Sequence, residues 1–501
     1  MSFDFPAFVW LLIVIIVPVP LVYLAGRVLR SENTPGAPAA KWTALLVLIA
    51  AWLPFALAIQ DFLAHGVLTY TLGAISLQMD GLALLLAGLT LTIGTIVVLY
   101  SGPYLASEAG EEKHYSMLVA MIGVIIGLGT ATDLFNLWLW FETMAVTSFL
   151  LVVFNREESE SLEAGFKFQV QSAVGSVFVL LGIAIVMFDL GTTDLSVISK
   201  MAMPSVAIGA AAACFVIGFG IKVALVPLHT WLPDAHSQAP SGISAMLSGV
   251  VIEAGLVALL RIMIALFSAE ASWGTLLLIF AALNILVGNL MALRQTQVKR
   301  MLAYSSLAHM GYMLLGLGIA FTLGNTNGAE GTMFHMLTHG LMKGLAFLAA
   351  GCMLWLLHQS GSHRPLEIND LAGASQRYPL IAGALTLAVF ALGGLPPFAG
   401  FMSKWQIFLS GFETNNTWLI ALVIFAGLNS VLSLAYYAPV VNTMFRHAPS
   451  ELVERGDRVP GLMQIPLALM AVAIVVIGFW PSLLNWITEP AGQVLLSAFG
   501  G

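Results

Sequence analysis

Apolar stretches long enough to cross a lipid bilayer recur from one end of this chain to the other. A helix needs about 20 consecutive, mostly apolar residues to traverse the hydrocarbon core. Windows of that kind are centred near residues 17, 53, 91, 122, 143, 177, 219, 254, 283, 312, 345, 395, 430 and 473. Backbone polar groups inside lipid must be bonded within their own segment, so these windows commit the chain to an all-α polytopic membrane protein of about 14 transmembrane helices. Composition agrees, with 59% hydrophobic and only 9% charged residues, against roughly 25% charged in a soluble domain. The polar stretches between windows, such as "SEAGEEKH" and "RHAPSELVERGDRVP", are connectors too short to fold alone. The first window, "FVWLLIVIIVPVPLVYLAG", has no basic residue ahead of it and no small-residue cleavage site after it, which predicts a retained anchor and not a signal peptide.

Basic loops stay on the cytoplasmic side of a membrane. If the spans alternate, thirteen basic residues fall on one side, among them Arg27, Arg30, Lys41, Lys113, Arg156, Lys299 and Arg300, and Lys200 alone on the other. Both termini are therefore expected at the periplasmic or external face of a bacterial inner membrane. The net charge of -7 says little about nucleic acid, but the basic residues are scattered over several loops and form no stripe, which excludes a nucleic-acid surface. Cys214 and Cys352 match neither disulfide nor metal spacing. There is no phosphate-binding or dinucleotide glycine loop, no iron–sulfur cysteine set and no zinc motif, so no cofactor, no metal and no ATP hydrolysis are expected in this chain.

A charged side chain at the bilayer centre costs at least about 2.5 to 3.5 kcal/mol on insertion scales, so such groups face the protein interior and have partners. Glu142 lies mid-window in the fifth span, Lys222 in the seventh, Glu253 in the eighth and Lys404 in the twelfth. His335, His339 and Lys343 recur every four residues in the eleventh, which stacks them on one helix stripe. The seventh and twelfth spans share a further feature. "GFGIKVALVPLHTWLPDAH" sets Lys222 five residues before Pro227, and "LGGLPPFAGFMSKWQIF" sets Gly393, Gly394, Pro396 and Pro397 before Lys404. Paired interrupted helices in the two halves of a transporter point to its midplane site. Burial favours a lysine's neutral form and a nearby carboxylate its charged form, so a moving glutamate switches a lysine between holding and releasing a proton.

Each of these residues also has a structural reading. Glu142 with Lys222 reads equally as a static buried ion pair, and Lys343 and Lys167 as side chains that snorkel to an interface. Histidines at i and i+4 of one helix cannot clamp both faces of a haem. Asp80 and Asp133 fall at span starts, where helix N-terminal or interface roles are expected, and Arg261 near a span end, where a structural pairing is expected. Trp138, Trp140 and Trp231 read as packing or interface anchors.

"DLFNLWLWFETM", "KVALVPLHTWLPDAHSQAPSGISAMLSGVV", "VKRMLAYSSLAHMGYMLLG", "HMLTHGLMKGLAFLAAG" and "LPPFAGFMSKWQIF" together resemble the antiporter-like subunits shared by respiratory complex I, Mrp-type sodium/proton antiporters and membrane-bound hydrogenases. The likeness runs from about residue 75 to 445, in the family's motif order. It implies two inverted five-helix repeats with a broken seventh and a broken twelfth helix. The corresponding division is 1–112 for helices one to three, 113–268 and 269–446 for the repeats, and 447–501 for a C-terminal helix. It also implies that Glu142 pairs with Lys222, that His335 and His339 are the central histidines and that Lys404 is the exit residue. One position departs: where many members carry lysine or histidine eight residues before an arginine, Glu253 precedes Arg261. Its reversed charge suits a proton relay, a partner for protonated Lys222 or a cation ligand. The chain ends soon after the fourteenth span, as in the shorter subunit types.

The expected function is therefore that of a proton-translocating subunit in a multi-subunit membrane complex, with a relay of Glu142, Lys222, Glu253, His335, His339, Lys343 and Lys404. Its energy would come from redox chemistry in partner subunits of NADH–quinone oxidoreductase or hydrogenase type. The alternatives are a subunit of an Mrp-type Na⁺/H⁺ antiporter, an accessory module that couples a proton path to a partner enzyme, and a scaffold whose buried charges only hold helices together. The expected partners are other membrane subunits, protons and, in the antiporter reading, Na⁺.

Overall fold

The computed structural model describes residues 5–29, 37–73, 75–106, 108–270 and 272–499. Arg30, counted above among the basic residues of one side, lies outside the described residues. The first eight spans are Ala7–Val28, Pro38–His65, Gly81–Tyr104, Glu111–Thr130, Leu134–Val152, Ser159–Leu190, Val206–Val223 and Ser241–Ala265. Trp273–Ala292, Val298–Leu323 and Thr326–Gln359 are the ninth to eleventh, and Thr417–Arg446 and Gly461–Phe479 the last two. The twelfth is in two pieces, Pro379–Gly393 and Ala399–Phe412. Fourteen spans were expected, and fourteen are present among the described residues.

Polar side chains start these helices where the apolar runs begin. Asp80 accepts from the Ala83 N–H at 2.9 Å, Asp133 from Asn136 at 2.8 Å, Ser205 from Ile208 at 3.1 Å and Asn325 from Gly328 at 2.8 Å. Each satisfies a donor that the first turn leaves open. The expected N-terminal roles of Asp80 and Asp133 are thus what the structure shows. The sixth and tenth spans end on Gly191 and Gly324 with φ of +70° and +64°, a left-handed conformation that glycine adopts without a Cβ penalty.

The helices sort by burial. The second, sixth and thirteenth spans turn large apolar side chains such as Leu53, Phe166, Val177 and Leu428 outward, while the eighth is wholly buried along its length. The tenth and eleventh are nearly so. Every ionisable residue singled out in the eleventh and eighth spans thus lies at the centre of the bundle, shielded from lipid by other helices.

Two elements extend the all-α expectation. Leu68–Leu72 and Ile75–Met79 form an antiparallel hairpin between the second and third spans, with Leu68 opposite Met79. The signal was a run of β-branched and aromatic residues, "LTYTLGAISLQM", with Gly73 at φ +63°. A further helix, Asn485–Leu496, follows the fourteenth span, so the region 447–501 holds more than the one helix expected. It lies against the starts of the third and eleventh spans, close enough that a Cβ on Gly81 would stand 2.4 Å from the Pro490 carbonyl carbon.

The seventh and twelfth spans break in the same way. In the seventh, Ala224 is left-handed at φ +59°, the Ala224 N–H donates to Ile221 O at 3.1 Å, and the Leu225 N–H to Gly220 O at 2.8 Å. In the twelfth, Gly394 is left-handed at φ +78°, its N–H donates to Ala391 O at 3.0 Å, and the Leu395 N–H to Phe390 O at 3.1 Å. Both are Schellman-type helix ends followed within three residues by proline. The seventh resumes as Trp231–Gln238. Side chains from neighbouring spans bond what each break exposes. Asn284 of the ninth span accepts from the Val226 N–H at 2.8 Å and donates to Ala224 O at 3.2 Å. Ser430 of the thirteenth donates to Gly393 O at 3.2 Å. Membrane helices tolerate interruptions only where the freed backbone groups are bonded again in this manner.

The eighth and eleventh spans cross at two glycines. A Cβ on Gly249 would lie 3.0 Å from Gly340 O, and one on Gly340 2.8 Å from Gly249 O and 2.6 Å from Leu89. Small residues let membrane helices approach backbone to backbone. Gly340→Leu is expected to cost about 1–3 kcal/mol or more as overpacking, read as a lower unfolding temperature in detergent. A variant as stable as the parent would mean that the crossing relaxes freely.

Candidate functional site

The eighth span changes pitch just before its carboxylate: Leu247–Val251 form a π-helical turn, and Glu253 follows. Such turns insert one residue into the helix and redirect the side chains beyond it. Glu253 and His339 are both fully buried, and Glu253 Oε1 lies 2.8 Å from His339 Nδ1. This contact sits one residue from the Gly249–Gly340 crossing on the eleventh span, which explains how two polar groups on different helices come so close.

From His339 the contacts continue, although its Nε2 has no hydrogen-bond partner among the described residues. Its ring stacks on that of His309 in the tenth span, with centroids 5.1 Å apart at 28°. His309 Nδ1 lies 3.0 Å from His335 Nε2, and the two rings are nearly parallel at 8°. His335 Nδ1 lies 2.8 Å from Ser403 Oγ in the second half of the twelfth span, and the Thr338 hydroxyl donates to the same oxygen at 3.1 Å. Lys404, the next residue, donates to Leu392 O at 2.7 Å and Ser430 Oγ at 2.8 Å, with Nζ 4.5 Å from the centre of the Tyr312 ring. A carboxylate, three imidazoles, a hydroxyl and an ammonium thus follow one another across four spans.

Lys343 leaves this file in another direction. It is fully buried, so it does not snorkel, and donates to Leu302 O at 2.8 Å and Ser305 Oγ at 2.6 Å. Ser305 bonds in turn to Tyr437 of the thirteenth span, whose neighbour Tyr436 donates to Asn289 Oδ1 at 2.9 Å. Lys167, by contrast, is half-exposed and pairs with Glu163 at 2.8 Å and Asp234 at 3.1 Å, as an interface lysine does.

Lys222 is 1% exposed and forms neither a hydrogen bond nor an ion pair among the described residues. Its ammonium lies 4.3 Å from the centre of Phe168 and 5.7 Å from that of Trp231, on ring faces that attract cations. Its stem rests on Gly255, where a Cβ would approach to 3.1 Å. Trp231 bonds Ile221 O at 2.7 Å, so the tryptophan read as packing also holds the break. Glu142 lies within electrostatic range of Lys222, and Phe141 packs on Phe219 one residue away, with centroids at 4.9 Å. The structure brings Glu142 and Lys222 to neighbouring positions without joining their charged ends, and it turns Glu253 to His339 instead of to Lys222.

Two members of the file escaped the sequence reading. His309 lies in a quoted motif, "VKRMLAYSSLAHMGYMLLG", yet stands alone in its span, with no periodic partner to mark it. Ser403 had only its place beside Lys404 to single it out. Arg261 was expected to pair structurally, and it does: it bonds both carboxylate oxygens of Asp80, one at 2.8 Å, and Gly129 O at 2.8 Å. Cys214 and Cys352 are unpaired. Among the described residues no group of three or more histidine, cysteine or acidic side chains is arranged to hold a metal ion.

A bundle of membrane-crossing helices around a buried file of carboxylate, imidazole and ammonium groups defines an ion-carrying membrane protein. The chain belongs to the NADH:quinone oxidoreductase/Mrp antiporter transmembrane family, whose pattern matches residues 131–430. It is 33% identical over 437 residues to the F(420)H(2) dehydrogenase subunit N of Methanosarcina mazei, covering 85% of this chain and 86% of that one. It is 32% identical over 431 residues to the NADH-quinone oxidoreductase subunit N of Trichlorobacter lovleyi, covering 84% and 85%. Its fold superposes on a chain of the membrane-bound sulfane sulfur reductase, an archaeal respiratory membrane complex, with a TM-score of 0.88, 27% identity and 99% of both chains covered.

Proposed function

We propose that this chain moves protons through the file Glu253, His339, His309, His335 and Lys404, as a subunit of a membrane complex driven by redox chemistry in its partners. The observation that carries this reading is the file of close contacts from Glu253 to Ser403, at hydrogen-bond distance at every step except the stack of His339 on His309. Carboxylate, imidazole, hydroxyl and ammonium are all groups able to bind and release a proton, so the file supplies a succession of acid–base stations. Glu142 and Lys222 form the input. Because no bond ties Lys222 down, its charge depends on how near the carboxylate stands, so a partner that moves the fifth span sets the lysine's protonation. Lys404 forms the outlet, held against the break of the twelfth span by Leu392 O and Ser430. Lys343 with Ser305, Tyr437 and Tyr436 is a side branch.

The division into repeats at 113–268 and 269–446 belongs to this reading, and the matching breaks support it. So does a bacterial inner-membrane location with both termini on the periplasmic face, on the strength of the basic-residue asymmetry. The subunit N relatives favour a redox-driven complex over Na⁺/H⁺ exchange. Sodium dependence of acidification in inverted vesicles separates the two.

The test is Glu142→Gln and Lys222→Ala in the assembled complex. Both are expected to lower proton uptake at least about tenfold while subunit composition stays that of the parent, a modest share of what a positioned acid or base contributes to proton transfer. Full uptake in both variants would remove the input from the path and leave Glu142 and Lys222 as structural charges.

A further inference from the structure

We propose that a groove bounded by the first, fourth and fifth spans binds one zwitterionic aminophospholipid, of the phosphatidylethanolamine headgroup class. The groove encloses about 1170 Å³. Its wall is apolar, built by Val19, Pro20, Met117, Leu150 and Phe154, and its rim carries charges of both signs, Arg27, Lys113 and Arg156 together with Glu112 and Glu157.

The groove also contains a buried group without a partner. His114 lines it, is 1% exposed and meets the edges of Tyr115 and Phe154, yet neither ring nitrogen has a hydrogen-bond partner among the described residues. Buried nitrogens of this kind normally find one. Glu112 is 3% exposed, and its stem packs on the first span at Gly26, where a Cβ would stand 2.6 Å from Glu112 Cβ. Arg27 is the next residue of that span. Among the described residues Arg27, Lys113 and Glu112 have no ion-pair partner.

This chemistry matches one ligand class. A phosphodiester accepts charge-assisted bonds from Arg27 and Lys113, an ammonium donates to Glu112, a glycerol ester carbonyl accepts from His114, and an acyl chain covers the apolar wall; Glu157 already pairs with Arg156 at 3.7 Å. An anionic headgroup without an amine would set its phosphate among the carboxylates unrelieved. A wholly apolar occupant would leave His114 and the free cations as they are.

The experiment uses the intact membrane complex, reconstituted with equal amounts of phosphatidylethanolamine and phosphatidylglycerol, then moved into detergent and weighed by native mass spectrometry. One phosphatidylethanolamine per chain is expected to persist. Arg27→Gln with Lys113→Gln is expected to lower its occupancy about tenfold. His114→Leu, which preserves shape, is expected to lower it as well with subunit composition unchanged. Equal retention of phosphatidylglycerol, unaltered occupancy in the variants, or a complex that keeps no lipid because a partner subunit fills the groove each overturns the proposal.

Discussion

Replacing His309 with leucine is expected to slow proton passage through this chain about a hundredfold or more, the typical contribution of one positioned acid–base group. His309 is the only described side chain that both stacks on His339 and bonds His335. Leucine keeps the site filled and apolar, so the helices still pack while the proton loses its carrier between the eleventh-span histidines. The measurement is dye-reported acidification of inverted vesicles, with subunit composition checked in the same preparation. Glutamine at this place offers hydrogen bonds without a titratable ring, and it is expected to fail as leucine does. Normal acidification in both variants would show that protons do not pass the imidazoles.

The second large effect concerns stability. Asp80 is 1% and Arg261 9% exposed, and Asp80 also caps the third span. Asp80→Ala strands the guanidinium inside the bundle and is expected to cost about 3–5 kcal/mol, as removal of one partner of a buried pair does. Replacing both, Asp80→Leu with Arg261→Met, is expected to recover most of that loss, because no buried charge is then left unpaired. Thermal unfolding in detergent reads both. If the double variant were no more stable than Asp80→Ala, the cap and not the ion pair would be the larger contribution.

Much of the architecture was legible because lipid leaves a chain few choices: the apolar windows could only be helices. The site was legible in part for a related reason. A charge in an apolar window is costly, so Glu142, Lys222, Glu253, Lys343 and Lys404 announced themselves by type alone. What could not be read was direction. Nothing in the spacing of Glu253 says that a π turn aims it at His339 instead of Lys222, and His309 shares no helix with the histidines it joins. The hairpin at Leu68–Met79 lies in a short stretch between two long apolar windows, where the membrane argument has no hold. The aromatic seat of Lys222 depends on Phe168, one apolar residue among many until the fold brings its ring to the ammonium.

The two interrupted helices carry a mechanical consequence. Each elbow is bonded through its own backbone and by a side chain from next door, Asn284 in one case and Ser430 in the other. Bending either would forfeit several of these bonds where lipid offers no replacement. The elbows are therefore stiff joints, and they fix the backbone beside which Lys222 and Lys404 are mounted. In the proposed mechanism the spacing between Glu142 and Lys222 is therefore changed from the side of the fifth span, because the elbow that carries the lysine does not yield.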